Sequence, residues 1–125
     1  MLKKNFNDLA LLLLRLGFGG LMLTHGIPKI SMLSDSPIEF ADPIGVGPTI
    51  SLILTLIGEV VAPILIIIGF KTKWAAIPAA ITMLVAAFVV HLNDPIGTKE
   101  MALLYLFAYL AIFLAGPGRF SIDKK

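Results

Sequence analysis

The 125-residue chain contains no cysteine, two histidines and one tryptophan, and only 14% of its residues are charged. Without cysteine there is no disulfide, thiol exchange, thiolate metal site or covalent c-type haem. Two histidines fall short of the three or four donors that zinc and copper sites take, so no dedicated metal site is expected. Ten Lys and Arg against eight Asp and Glu give a net charge of +2, and the cations are scattered rather than clustered. That pattern excludes nucleic acid as the main partner. Soluble domains carry about a quarter of their residues as charged side chains. This chain is 58% hydrophobic, with a mean hydropathy of +0.95. It has too little polar material to coat one core, and its expected partner is the lipid bilayer.

Four apolar runs, at about 9–27, 49–70, 74–92 and 99–115, are each long enough to cross a ~30 Å hydrocarbon layer. They are continuously apolar rather than alternating at period two, which excludes a membrane β-barrel. The expected fold is an all-α, integral membrane four-helix bundle in a single domain spanning residues 1–125. A secretory signal peptide fits the first run poorly, because Arg15 interrupts it and no small-x-small site follows Leu23. Asn7 and Asp8 open this run as cap-type residues, and Gly26 and Pro28 are expected to close it.

Lys3, Lys4, Lys71, Lys73, Arg119, Lys124 and Lys125 fall on one side of the four runs, against Lys29 and Lys99 on the other. By the positive-inside rule both termini are expected in the cytoplasm of a bacterium, with the protein in its plasma (inner) membrane. The connections at 71–73 and 93–98 are short, and only the outer loop at 28–48 is large. Within it Ser36-Pro37-Ile38-Glu39 has the form of a capping box with proline at the first helical position, so a short surface helix is expected there. Small residues, including Gly17, Gly19 and Gly20 in the first run and Ala75, Ala76, Ala79 and Ala80 in the third, favour close approach of those two helices. Whether such faces meet within one chain or in a homo-oligomer stays open at this level.

A charged side chain at the bilayer centre costs about 2.5–3.5 kcal/mol on insertion scales. Arg15 and Glu59 are therefore the first candidates for function, and their positions along the runs suggest that they reach each other. The pair reads equally as a structural lock between two helices and as a proton or ligand site. At 100° per residue, Arg15, Met22, His25 and Lys29 fall on one face of the first helix. Ser51, Thr55 and Glu59 recur every four residues on the second. These stripes are expected to face one cavity. Pro63, four residues after Glu59, deprives the Glu59 carbonyl of its usual helical donor. His91 and Glu100 join His25 and Lys29 near the outer interface, although Glu100 is also explained as a first-turn carboxylate that favours the helix dipole. Tyr105 and Tyr109 share a face of the fourth helix and read as packing or interfacial residues.

The same positions carry a resemblance. Arg15-Leu16-Gly17 with His25-Gly26-Ile27-Pro28-Lys29, then Gly58-Glu59, Ile68-Gly69-Phe70 and Val90-His91-Leu92, come before Lys99-Glu100, Ala102-Leu103-Leu104-Tyr105-Leu106 and the closing run from Gly116-Pro117-Gly118 to Asp123. In this order they resemble the DoxX family of small bacterial and archaeal membrane proteins. The resemblance implies a four-helix membrane protein, and the family's usual label implies a subunit of a quinone-linked oxidoreductase that works with other redox subunits. On that reading no cofactor is intrinsic and quinone is the ligand. Glu59, Arg15 and His25 would do the chemistry, and Lys29, Ser51, Thr55, His91 and Glu100 would line the ligand site. A small proton-coupled transporter and a non-enzymatic anchor or assembly subunit are the alternatives. The chain has no dinucleotide or flavin motif.

Overall fold

A computed structural model describes the backbone of residues 2–124 and the side chains of residues 6–124. The side chains of Lys3 and Lys4, and the whole of Lys125, which contribute to the charge asymmetry above, lie outside the described residues. Helix α1 (Leu2–Ile30) continues into a 3-10 turn (Ser31–Ser34). The second span is α2 (Pro48–Leu56), a π-helical segment (Ile57–Val61) and α3 (Ala62–Ile68). The third is α4 (Thr72–Val85) with a second π segment (Ala86–Val90), and α5 (Ile96–Ala115) is the fourth. All four spans are long and apolar enough to cross a membrane, and no strand occurs among the described residues. Four crossings bring the two ends of the chain to one face, where the Arg119 N–H donates to the Asp8 carboxylate at 3.2 Å. The residue 35–47 loop lies on the opposite face.

Three local expectations are corrected. Helix α1 does not close at Gly26 and Pro28 but runs through both to Ile30. Pro28 removes one backbone N–H in the last turn, and Gly26 is there for packing. A Cβ at Gly26 would stand 2.5 Å from the Glu59 carbonyl oxygen, so only glycine allows these two backbones to meet. The Ser36–Glu39 segment forms no helix; the short helical turn falls earlier, at Ser31–Ser34, as a continuation of α1. The glycines of α1 also do not approach the alanines of α4. Gly19 packs on Pro63 and Ile67, and Gly26 on Glu59 and Val60, all in the second span. Being seven residues apart, these two glycines share one helix face. Ala75, Ala76, Ala79 and Ala80 of α4 instead join Tyr105, Tyr109 and Ile112 of α5 in the core.

Just before Pro63 the second span passes through a π segment. The Ala62 N–H reaches back five residues to the Ile57 carbonyl, so the extra residue is absorbed just before the proline. A tight turn then links α3 to α4: Gly69 adopts φ 72° and the Phe70 N–H donates to the Leu65 carbonyl at 3.0 Å, a Schellman-type ending.

Candidate functional site

The two intramembrane charges do not meet. Glu59 pairs with Lys29, Nζ to Oε1 at 2.7 Å, and Arg15 bonds elsewhere. Helix geometry explains both outcomes. The Gly26 contact fixes the Glu59 backbone level with residue 26, eleven residues beyond Arg15, or about 16 Å at ~1.5 Å rise per residue. An arginine cannot span that distance. Helical side chains also tilt toward the N-terminus of their own helix. Arg15 is thereby directed to the termini face, away from Glu59. Lys29, about one turn above Glu59, is directed down into the bundle and onto it.

Arg15 is fully buried. Its Nη1 donates to the Ile66 and Ile67 carbonyls at 3.2 and 2.9 Å, and its Nη2 to the Phe120 carbonyl. The first two are carbonyls in the last turn of α3; the Ile66 carbonyl also accepts from the Gly69 N–H at 3.1 Å, and Arg15 completes this helix end from another helix. The chain after α5 is strapped over the same place. The Ile122 and Asp123 N–H groups donate to the Ile68 and Gly69 carbonyls at 3.2 and 2.8 Å. The Asp123 carboxylate in turn accepts from the Lys71 N–H, the Thr72 N–H and the Thr72 hydroxyl at the start of α4. It also interacts electrostatically with Arg15. Asp123 thus caps α4 while Arg15 caps α3.

Toward the loop face the bundle opens into a cavity of about 480 Å³. Its polar wall is Lys29, Ser51, Thr55, Glu59, Thr82 and His91; its apolar wall includes Leu54, Ile57, Ile81 and Val85 of the second and third spans. Both π segments contribute lining residues, Ile57 and Glu59 from one, Ala86 and Val90 from the other. Such single-turn bulges re-aim side chains and recur at functional sites. Phe40, Ala41, Pro43 and Ile44 of the long loop form the rim.

That loop is held by Asp42. Its carboxylate accepts from the Val46 and Gly47 N–H groups at 2.9 and 2.8 Å and from the Ser51 hydroxyl at 2.8 Å. The Ser51 hydroxyl, before the backbone donors, holds the Asp42 carboxyl below the usual carboxylate range. Ser51 therefore reaches the cavity wall while serving as a clasp. At the opposite rim His91 Nδ1 lies 2.8 Å from Asp94 Oδ2. A carboxylate there orients the ring by accepting from Nδ1–H.

Of the residues singled out from the sequence, Glu59, Lys29, Ser51, Thr55 and His91 come together around this cavity. Arg15, His25 and Glu100 do not. His25 is exposed and turned to α5, its ring edge-on to Tyr105 at 6.0 Å. Glu100 is exposed and is the fifth residue of α5 rather than part of its first turn, because the helix starts at Ile96. Tyr105 and Tyr109 are buried and stacked with centroids 6.1 Å apart. Asp42, Asp94 and Asp123 escaped sequence reasoning as partners. No group of three or more His, Asp or Glu suited to a metal ion occurs among the described residues.

Helix count, cavity and polar pattern together define a small multi-pass membrane protein with a ligand-sized pocket at one face. Residues 10–92 match the sequence model of the DoxX family, and the chain belongs to that family. It is similar to the inner membrane proteins YqjF and YphA of Escherichia coli. YqjF is 27% identical over 97% of this chain and 95% of its own length. YphA is 28% identical over 92% and 89%. An uncharacterized protein of Haemophilus influenzae is 31% identical over 98% of this chain and 94% of its own. With its four spanning helices, the chain is a multi-pass protein of the bacterial inner membrane. No solved structure matches it.

Proposed function

We propose that this DoxX-family protein is a quinone-linked membrane subunit that binds the ring of a membrane-soluble quinone in the loop-face cavity. The observation that carries the reading is the Lys29–Glu59 pair, set into the wall of a cavity of about 480 Å³ that is otherwise mostly apolar. Small-molecule sites are typically cavities of about 300–1,000 Å³ with a few placed polar groups on apolar walls. A lysine ammonium has three donors, so Lys29 keeps donors for a ring carbonyl while Glu59 fixes its position. Glu59 Oε2, the Thr55 hydroxyl and His91 offer places to hold or pass a proton.

Leu54, Ile57 and Ile81 combine lining of the cavity with exposure on the outside of the bundle, between the second and third spans. An isoprenoid tail suits that side opening. Quinone supplies the redox chemistry when bound, and a partner subunit supplies or takes the electrons. This chain holds the ring, excludes bulk water from it and keeps a carboxylate beside it.

The transporter reading is less well supported. It needs Glu59 to open to both faces, and below the cavity Met22, Ile66, Tyr109 and Ile112 fill the bundle at 0–1% exposure. The Arg15 cap and the C-terminal strap close the termini face beyond them.

The test is lipid extraction and mass analysis of the protein purified in mild detergent. Quinone is expected to co-purify with the native chain and to be lost from Lys29→Gln and Glu59→Gln variants that remain folded. Absence of quinone from the native protein, with no effect of Glu59→Gln on quinol-dependent turnover in membranes, would sink the proposal.

A further inference from the structure

A second cleft lies on the termini face, on the far side of the packed core from the cavity. It measures about 360 Å³ and is lined by Lys71, Thr72, Lys73, Trp74, Gly116 and Asp123, between the start of α4 and the end of α5. Its charge is predominantly basic. Lys71 and Lys73 are exposed, and neither ammonium makes an ion pair among the described residues. The Lys71 Nζ lies 5.7 Å above the Phe70 ring. The Lys73 stem lies across Gly116, where an added Cβ would meet its Cε at 3.4 Å, so the lysine leans over the cleft toward α5. The same cleft holds one carboxylate, Asp123, so two lysines against one carboxylate leave it a net charge of +1. Asp123 Oδ1 is taken by the Lys71 N–H at 2.9 Å, and Oδ2 by the Thr72 N–H and hydroxyl at 2.8 and 2.9 Å.

The flanks of the cleft are apolar and face outward. Leu114 and Trp74, at 77% and 73% exposure, are the most exposed large apolar side chains among the described residues. Trp74, in the first turn of α4, lines the cleft itself, and Leu114 directly precedes Ala115, which lines it from α5. Tryptophan is enriched at the headgroup level of membranes, where its ring meets both lipid and water.

We propose that this cleft binds the headgroup of an anionic phospholipid. The phosphate sits between the Lys71 and Lys73 ammonium groups, and the acyl chains lie against Trp74 and Leu114. A zwitterionic headgroup brings its own cation to a site that already holds two. A free phosphate leaves the apolar flanks uncovered. Basic pockets between membrane helices suit acidic lipid headgroups, at about 1 kcal/mol per lysine or about fivefold in affinity. The bound lipid joins the third and fourth spans beside the Asp123 strap. This inference does not depend on what occupies the loop-face cavity.

The experiment is native mass spectrometry of the full chain released from bilayer discs holding equal amounts of phosphatidylglycerol and phosphatidylethanolamine. Retention of one phosphatidylglycerol in preference to phosphatidylethanolamine is expected. Lys73→Gln reduces that preference about fivefold, Lys71→Gln with Lys73→Gln about 25-fold, and Lys73→Arg restores it. The Lys73 side chain makes no hydrogen bond among the described residues, so its single variant carries the test even where the double variant is unstable. Lys124→Gln, on the same face outside the cleft, leaves the preference unchanged. Equal retention of the two lipids, an unaltered preference in Lys73→Gln, or an equal loss in Lys124→Gln overturns the proposal. Displacement of the lipid by millimolar inorganic phosphate also overturns it, by showing a small-anion site instead.

Discussion

Replacing Arg15 by glutamine removes an interaction that fastens the C-terminal strap to the helices. The guanidinium holds three carbonyls, two at the end of α3 and one in the strap. Charge-assisted hydrogen bonds contribute roughly 1.5–3 kcal/mol each, so three give an upper range of about 5–9 kcal/mol. Desolvating the cation offsets part of this, and losses from breaking buried charged contacts usually fall near 3–5 kcal/mol. A loss of about 3–5 kcal/mol is therefore expected for Arg15→Gln, read from denaturant titration of the protein in detergent with Trp74 fluorescence as the signal. Removing residues 116–125 deletes the Phe120 carbonyl and the Asp123 cap together, so its cost overlaps with that of Arg15→Gln. The two changes combined should cost at least 1 kcal/mol less than their sum. Arg15→Gln and Glu59→Gln share no hydrogen-bond partner and should add within about 0.5 kcal/mol. A loss below 1 kcal/mol for Arg15→Gln, or strong coupling between Arg15 and Glu59, would refute the reasoning and return the two residues to a common ion pair.

Three further outcomes follow from other contacts. Gly26→Ala sets a methyl 2.5 Å from the Glu59 carbonyl and should destabilise by about 1–3 kcal/mol, whereas Gly17→Ala, with nothing within 4 Å, should be neutral or gain up to ~1 kcal/mol in helix propensity; melting in detergent decides, and equal effects would contradict the packing. The Asp42 carboxyl should titrate below its ordinary 3.8, followed by carboxyl-carbon NMR, and Ser51→Ala should bring it back up. Because that pKa is depressed in the fold, the loop clasp is complete above the unfolded value and is lost only as pH falls through the lower folded one. Lys29→Gln and Glu59→Gln each leave one charge unpaired in the bundle, so the double variant should melt above either single one; a double variant less stable than both would show that the two residues do not compensate each other.

Hydropathy made the four spans legible, and the polar periodicity of the second span correctly gathered Ser51, Thr55 and Glu59 on one cavity. What periodicity lacks is axial level and side-chain direction. Arg15 and Lys29 share a face of α1 by angle, yet their side chains serve opposite faces of the membrane. The available signal was the N-terminal tilt of helical side chains, which on a first helix running away from the termini directs Lys29 back into the bundle and Arg15 out toward the termini face. The π segment at Ile57–Val61 was foreshadowed by Pro63 but not specified by it, since a proline is equally served by a simple kink. The roles of Asp42 and Asp123 rest on loop and tail paths that no periodic pattern describes.

The two ends of the bundle are built from different materials, and this difference bears on where chemistry can occur. On the termini face, Arg15 and Asp123 direct their charge mainly at backbone groups of helix ends in or near lipid. Such bonds have fixed partners and leave little capacity for a substrate. On the loop face, Lys29–Glu59 and His91–Asp94 pair side chain with side chain beside a cavity, so each retains donor or acceptor capacity directed at open space. Both π segments fall at this end, where they widen the backbone next to the cavity instead of disturbing the core beneath it. On the proposed reading, a ligand entering between the second and third spans would meet groups that can exchange partners without unfolding a helix end. The charged residue with the deepest burial, Arg15, is therefore a poor candidate for chemistry, and the half-exposed Lys29 with its carboxylate is the better one.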